Sequence, residues 1–242
     1  MGEARLWEID SLRGIAVVAM VVSNFLFDLF FFVGLPFSPD GWPGILARVT
    51  AGAFIFLVGL SLTLSYARRK QQRRPFFWYL RRGIGIILLG MVVTAATWVA
   101  VGGQLVLFGV LHLIGVSIII SYPFLPGRFF NILAGLAVIV AGFFLQRIAI
   151  DSLWLLPFGL SPRDFYSVDY APLFPWWGLV LIGIGIGNLL YPGGRRRFAL
   201  RDLSGRRLVS FLTLAGRHSL IVYFVHQPLL LGGLWLYTKC CA

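Results

Sequence analysis

Uncharged apolar windows of about twenty residues recur along this chain, bounded by arginine clusters, prolines or glycines, and no other feature constrains its fold as strongly. A helix rises about 1.5 Å per residue, so roughly 20 apolar residues cross a hydrocarbon core of about 30 Å. Inside that core every backbone polar group must be satisfied within the segment, which a helix does and a loop does not. Windows near 13–34, 44–65, 83–102, 105–123, 129–146, 174–191 and 212–237 meet the requirement. They predict an all-α integral membrane protein, a bundle of about seven transmembrane helices forming a single domain over 1–242. Composition agrees: 59% of residues are hydrophobic and 12% charged, against roughly 45–50% and 25% in soluble domains. The third and fourth windows are separated only by Gly102, Gly103 and Gln104, which predicts a tight hairpin, and Pro123 and Pro126 end the fourth.

The formal net charge of +12 would suit a nucleic-acid partner if the basic residues lined one face. They are bunched between the apolar windows instead, as the positive-inside rule requires of a membrane protein. With the N-terminus in the cytoplasm, seventeen Lys and Arg residues fall on that side and four on the other, so the C-terminus is expected outside. Anionic lipids are the partners this pattern implies, not nucleic acid. Cys240 and Cys241 are adjacent, so a bridge between them would close no useful loop. Glu3, Glu8 and Asp10 precede the first window without a basic leader region, and that window is expected to be retained.

Strongly polar groups inside a span cost several kcal/mol, roughly 2.5–3.5 for a central charge, so each needs a partner or a purpose. Asn24 and Asp28 share one face of the first window, one turn apart. Asn24 lies eleven residues beyond Arg13, about 16 Å along the helix at its ordinary rise. His112 falls early in the fourth window, and His226 and Gln227 fall past the middle of the seventh. In the expected topology all of these reach the outer half of the bilayer. His218 lies near the cytoplasmic end of the last window. The three histidines have no metal-ligand spacing and no cysteine beside them, so no metal is expected. About 27 residues join the fifth and sixth windows, including Trp154, Pro157, Pro162, Asp164 and Asp169. A connection of that length is either functional or an interfacial cover. On the cytoplasmic side Asp10, Arg13, Arg81 and Arg82 flank the helix ends, and Arg is the residue suited to bidentate phosphate contacts.

Glu8-Ile9-Asp10-Ser11-Leu12-Arg13-Gly14-Ile15-Ala16 with Met20 and Asn24 resembles the opening of the heparan-α-glucosaminide N-acetyltransferase catalytic-domain family. Phe108-Gly109-Val110-Leu111-His112, then Asp169-Tyr170 with Pro172 and Leu173-Phe174-Pro175-Trp176, continue the resemblance in order. Gly216-Arg217-His218-Ser219-Leu220 leading to Tyr223, His226, Gln227 and Pro228 completes it. The chain departs from many small prokaryotic relatives in carrying Asn24 where they have His. The resemblance implies a membrane acyltransferase of a prokaryotic cytoplasmic membrane, taking an acetyl group from acetyl-CoA to an amino-sugar, glycan or lipid-linked acceptor on the other side.

Thioester attack needs a base for the acceptor's proton and donors for the developing oxyanion. His112 is the expected base, with Asp28 fixing its tautomer and Asn24 or Gln227 donating to the oxyanion. His226, Gln227, Asp169 and Trp176 are expected to bind the acceptor, and Arg13, Asp10, Arg82, Arg81 and His218 the acetyl-CoA. The alternative is a non-enzymatic binder or transporter of small molecules or lipids on the same fold. The Ile182-Gly183-Ile184-Gly185-Ile186-Gly187 run would let helices approach closely, within one bundle or across a homodimer.

Overall fold

A computed structural model describes residues 6–33, 38, 41–100, 106–165, 167 and 169–241. Its helices are α1 (Trp7–Val33), α2 (Trp42–Arg69), α3 (Pro75–Ala100), α4 (Val110–Ile120), α5 (Phe129–Leu145), α6 (Leu173–Leu190), α7 (Arg207–Arg217) and α8 (Ser219–Cys241). Among the described residues there is no strand, only two isolated bridges, Phe108 with Tyr170 and Ala149 with Ser161. Five helices, α1, α2, α3, α6 and α8, are long and apolar enough to cross a membrane.

Of the seven windows expected to span, two form shorter helices among the described residues. The fifth window becomes α5, with 17 residues, and the fourth becomes α4, with 11. At the ordinary rise α4 is about 16 Å long, half a hydrocarbon core. It begins at Val110, not near 105: residues 106–109 are non-helical and Phe108 pairs with another segment, its carbonyl accepting from the Ala171 N–H at 2.8 Å. The hairpin expected at Gly102, Gly103 and Gln104 lies outside the described residues. The seventh window is also divided. Residues 212–217 belong to α7, whose 11 residues are too short to span, and a turn at His218 precedes α8. Elsewhere helices outrun the windows. α3 begins at Pro75, a residue suited to a first helical turn, and so carries Arg81 and Arg82 within it. Hydropathy stops at a charge, but a helix continues under long cationic side chains whose stems are apolar.

The chain forms two compact units. The first, Met1–Leu57 with Leu200–Ala242, contains α1, the start of α2, α7 and α8. There α1 and α7 pack backbone against backbone. A Cβ at Gly14 would collide with the Leu212 carbonyl oxygen, and one at Gly216 with the Asp10 carbonyl oxygen. The buried hydroxyls of Ser11 and Thr213 hydrogen-bond at 2.9 Å across the same contact.

The second unit, Val58–Ala199, contains the rest of α2 and α3 to α6. α5 and α6 meet at paired glycines: a Cβ on Gly135 would lie 2.6 Å from the Gly178 carbonyl oxygen, and one on Gly178 would lie 2.5 Å from that of Gly135. Gly185 faces Arg128 and Ile132 of the α5 side and Gly187 faces Thr63 of α2, so these two members of the glycine run pack within the unit. Side-chain amides hold the turn before α5. Asn188 donates to the carbonyls of Leu125 and Gly127 at 2.8 and 2.6 Å, and Asn131 to those of Phe124 and Gly127 at 2.6 and 3.0 Å. The outer faces of α3 and α5 expose Leu88, Met91, Val92 and Val99, and Phe129, Phe130, Leu133 and Phe143. A contiguous apolar surface of that kind is costly in water and neutral against lipid tails.

Candidate functional site

In the first unit α1 and α8 bring polar groups together inside otherwise apolar helices. The Asn24 amide nitrogen lies 2.7 Å from His226 Nε2. One turn further along α1, both oxygens of Asp28 accept from Gln227 Nε2 at 3.1 Å. Asp28 and His226 are buried, and Asn24 is half-buried. The i, i+4 spacing on α1 and the adjacent pair on α8 produce this two-rung ladder directly.

The tautomer of His226 follows from its partners. Nδ1 faces only backbone carbonyls, that of Tyr223 at 2.6 Å and that of Val222 at 3.2 Å. A carbonyl oxygen can only accept, so Nδ1 carries the proton. In the neutral ring Nε2 is then the basic nitrogen, accepting from Asn24, with the Asp28 carboxyl close enough to act on it electrostatically. The geometry is that of an imidazole whose donor side is fixed and whose basic side points at a replaceable amide donor.

His112 and Asp169 belong to the second unit. His112 sits in the first turn of α4, buried, with its ring stacked on Phe108 at 5.8 Å. Gly90 makes room for it, since a Cβ there would stand 3.0 Å from the imidazole. Its Nδ1 is buried with no hydrogen-bond partner among the described residues. Asp169 caps the same helix from 59 residues away: its Oδ2 accepts from the Val110 N–H at 3.0 Å. Gly109, the residue before α4, supplies no side-chain cap, and a Cβ on it would collide with that carboxylate. Asp169 was expected to contact an acceptor; one of its oxygens is engaged in capping. Withdrawal from water pushes its carboxyl above the usual carboxylate range, and the Val110 N–H partly offsets this. Burial likewise pushes the neighbouring Tyr170 phenol up to about 12, and its hydroxyl donates to the Leu156 carbonyl at 2.7 Å.

The expected phosphate-binding residues divide between the units. In the first, Asp10 links Arg13 and Arg217, each at 3.3 Å, and His218 is exposed where α7 ends. In the second, Arg81 and Arg82 are exposed on α3, and Arg82 lies 5.1 Å from the Trp78 ring, with the guanidinium of Arg69 at 3.9 Å. Arg69, Trp78 and Thr213 were not singled out in the sequence, and Arg217 only as part of the Gly216–Leu220 motif. The spacing of Trp78 and Arg82, four apart on a helix, was the available signal. Trp176 is half-buried on α6, and its neighbour Trp177 donates to Ser121 Oγ at 2.9 Å. The connection between α5 and α6 forms an open cleft of about 680 Å³ lined by Asp151, Arg163, Asp164 and Phe165, among others.

A family model described as heparan-alpha-glucosaminide N-acetyltransferase, catalytic, matches residues 5–228. No curated protein and no solved structure matches the chain. The matched range takes in the Asn24–His226 and Asp28–Gln227 pairs, the Asp169 cap with His112, and the Asp10 ion-pair cluster. This chain, with its long apolar helices, belongs to the heparan-α-glucosaminide N-acetyltransferase catalytic family of membrane acetyltransferases.

Proposed function

We propose that the protein transfers an acetyl group from acetyl-CoA on the cytoplasmic side of a prokaryotic membrane to the amine or hydroxyl of an amino-sugar, glycan or lipid-linked acceptor toward the other side. The observation that carries this reading is His226, with Nδ1 held as a donor by backbone carbonyls and Nε2 left basic beside Asn24 and Asp28. Nε2 takes the acceptor's proton as its nitrogen or oxygen attacks the thioester carbon, and returns a proton to the departing thiolate. Asn24, displaced from Nε2, turns its N–H groups toward the carbonyl oxygen as that oxygen gains charge. Asp28, held by both bonds from Gln227, favours the imidazolium while it exists. In the first unit Arg13 and His218, around Asp10, suit the donor's phosphates.

His112, the base expected from sequence, carries a buried Nδ1 without a partner among the described residues, and activity separates the two histidines. Purified protein in proteoliposomes is given acetyl-CoA with a labelled acetyl group and a panel of amino sugars and amine-bearing lipids. Label is expected on an acceptor, falling about 10²–10⁴-fold in His226→Ala, the usual worth of a general base. Gly205→Ala, where nothing lies within 4 Å, should retain it. Loss in His112→Ala with retention in His226→Ala would return the base to His112. Acetyl-CoA bound without transfer to any acceptor would favour a binder or transporter, and its failure to bind would overturn the enzyme.

A further inference from the structure

At the end of α2 and the start of α3, in the second unit, one aromatic side chain carries a buried polar group with no hydrogen-bond partner among the described residues. Tyr79 is 0% exposed, its ring packs against Tyr122 at 5.5 Å, and its hydroxyl makes no hydrogen bond to any of the described residues. Ser65 stands beside that hydroxyl without meeting hydrogen-bond geometry, and the Arg69 and Arg82 guanidiniums both act on it electrostatically. A buried donor without an acceptor costs about 1–3 kcal/mol, so each one calls for an explanation.

The two arginines pose the same question. Arg69 sits 3.9 Å and Arg82 5.1 Å from the Trp78 ring, so one indole orients both, and they are near enough to repel each other. Among the described residues neither has a carboxylate partner. The acidic residues of this unit are Asp151, Asp164 and Asp169, all in the connection between α5 and α6. Arg69 makes only a long, exposed contact of 3.5 Å with Gln72. A guanidinium held by its face on an aromatic ring keeps its N–H edge free.

We propose that Arg69, Trp78, Tyr79 and Arg82 form a binding site for a phosphate ester. The arginines supply paired N–H donors and two positive charges, Tyr79 supplies the hydroxyl donor, and Trp78 is the platform that pre-orients the guanidiniums. A phosphate group, with several acceptor oxygens and one to two negative charges, answers all three needs at once. The Arg side chains, the long flexible members, turn to admit it to the hydroxyl. The phosphate comes from a nucleotide or from an anionic lipid headgroup. Only the nucleotide arm rests on the acetyl-CoA reading.

Inorganic pyrophosphate and coenzyme A are titrated separately into the purified full-length protein in a zwitterionic detergent, by calorimetry and thermal shift. Pyrophosphate is expected to bind, with affinity reduced about tenfold or more in Arg69→Gln and Arg82→Gln. Arg73→Gln, on the same segment, should stay within about twofold, because a diffuse charge field is not a site. Tyr79→Phe separates the site from mere packing: without phosphate its melting temperature should equal or exceed that of the wild type, since it deletes an unpartnered hydroxyl, and its pyrophosphate affinity should fall. Equal losses in Arg73→Gln and Arg82→Gln, or a lower melting temperature of ligand-free Tyr79→Phe, would overturn the proposal. Competition by coenzyme A assigns the site to a nucleotide. Competition by phosphatidylglycerol vesicles, with phosphatidylcholine vesicles inert, assigns it to lipid. Pyrophosphate binding at Arg69 and Arg82 with no coenzyme A binding anywhere would keep the site and remove the acetyl-CoA reading, whereas coenzyme A binding with no pyrophosphate site would do the reverse.

Discussion

At Asp169 a single carboxyl does work that its sequence position conceals. It lies three residues before Pro172 in a long connection, yet it closes the N-terminus of α4 through the Val110 N–H. Its raised pKa has a definite consequence for stability. The folded protein binds this proton more tightly than the unfolded chain, whose carboxyl titrates near the ordinary value of 3.8. The contribution is therefore full below that value and is lost as pH rises through the folded value. Asp169→Asn keeps an acceptor oxygen for Val110 and removes the titration. Its melting temperature, measured against that of the wild type, is expected to gain relative ground as pH rises across this window; parallel curves would refute the assignment. His226 is the counterpart on α8. Its residue type and depth are legible in the sequence, and so is the placing of Asp28 one turn from Asn24. The tautomer is not, because it is set by which backbone carbonyls Nδ1 meets.

Elements, rather than residues, explain why the last apolar window divides. Residues 212–217 are apolar enough to read as part of one span, but α7 packs its small-residue face on α1, and α8 starts afresh after the turn at His218. Gly14 and Gly216 make that contact, and neither has room for a Cβ. Gly216→Ala forces the Asp10 backbone away and strains the Asp10–Arg217 pair, so it should cost about 1–3 kcal/mol by the usual penalty of overpacking. Gly205→Ala, where nothing lies within 4 Å, should stay within about 0.5 kcal/mol. Thermal unfolding in detergent compares them, and equal effects would mean that the close approach is not where α7 is held. The same physics shortened α4. An apolar run of 19 residues, 105–123, looked long enough to span, but Phe108 pairs with the segment at Tyr170 and the helix starts only at Val110.

On the scale of the whole molecule the membrane sets the prediction. The positive-inside expectation, seventeen basic residues on one side and four on the other, predicts that the loops around Gln71 and Ser204 are cytoplasmic and the connection at Asp151 is not. Single cysteines at these three positions, in a chain whose Cys240 and Cys241 are replaced by Ser, test this in intact cells with a membrane-impermeant maleimide. Asp151→Cys should label, while Gln71→Cys and Ser204→Cys should label only after lysis; the opposite pattern would invert the topology and place the proposed donor side outside.

Helicity, membrane character and family were already determined by the order of residues, because hydrocarbon accepts only self-satisfied backbone and because apolar windows and short motifs are local properties. Asn24, Asp28 and His226 could be picked out for the same reason: a polar group in an apolar window is conspicuous wherever the chain goes. Tertiary structure alone decided the partners. Asn24 meets His226 across 202 residues of chain, and Asp169 caps α4 across 59. The orphan hydroxyl of Tyr79 is visible only once the surrounding atoms are known. Hydrogen bonds and close packing act over about 3 Å of space, a distance that separation along the chain does not encode.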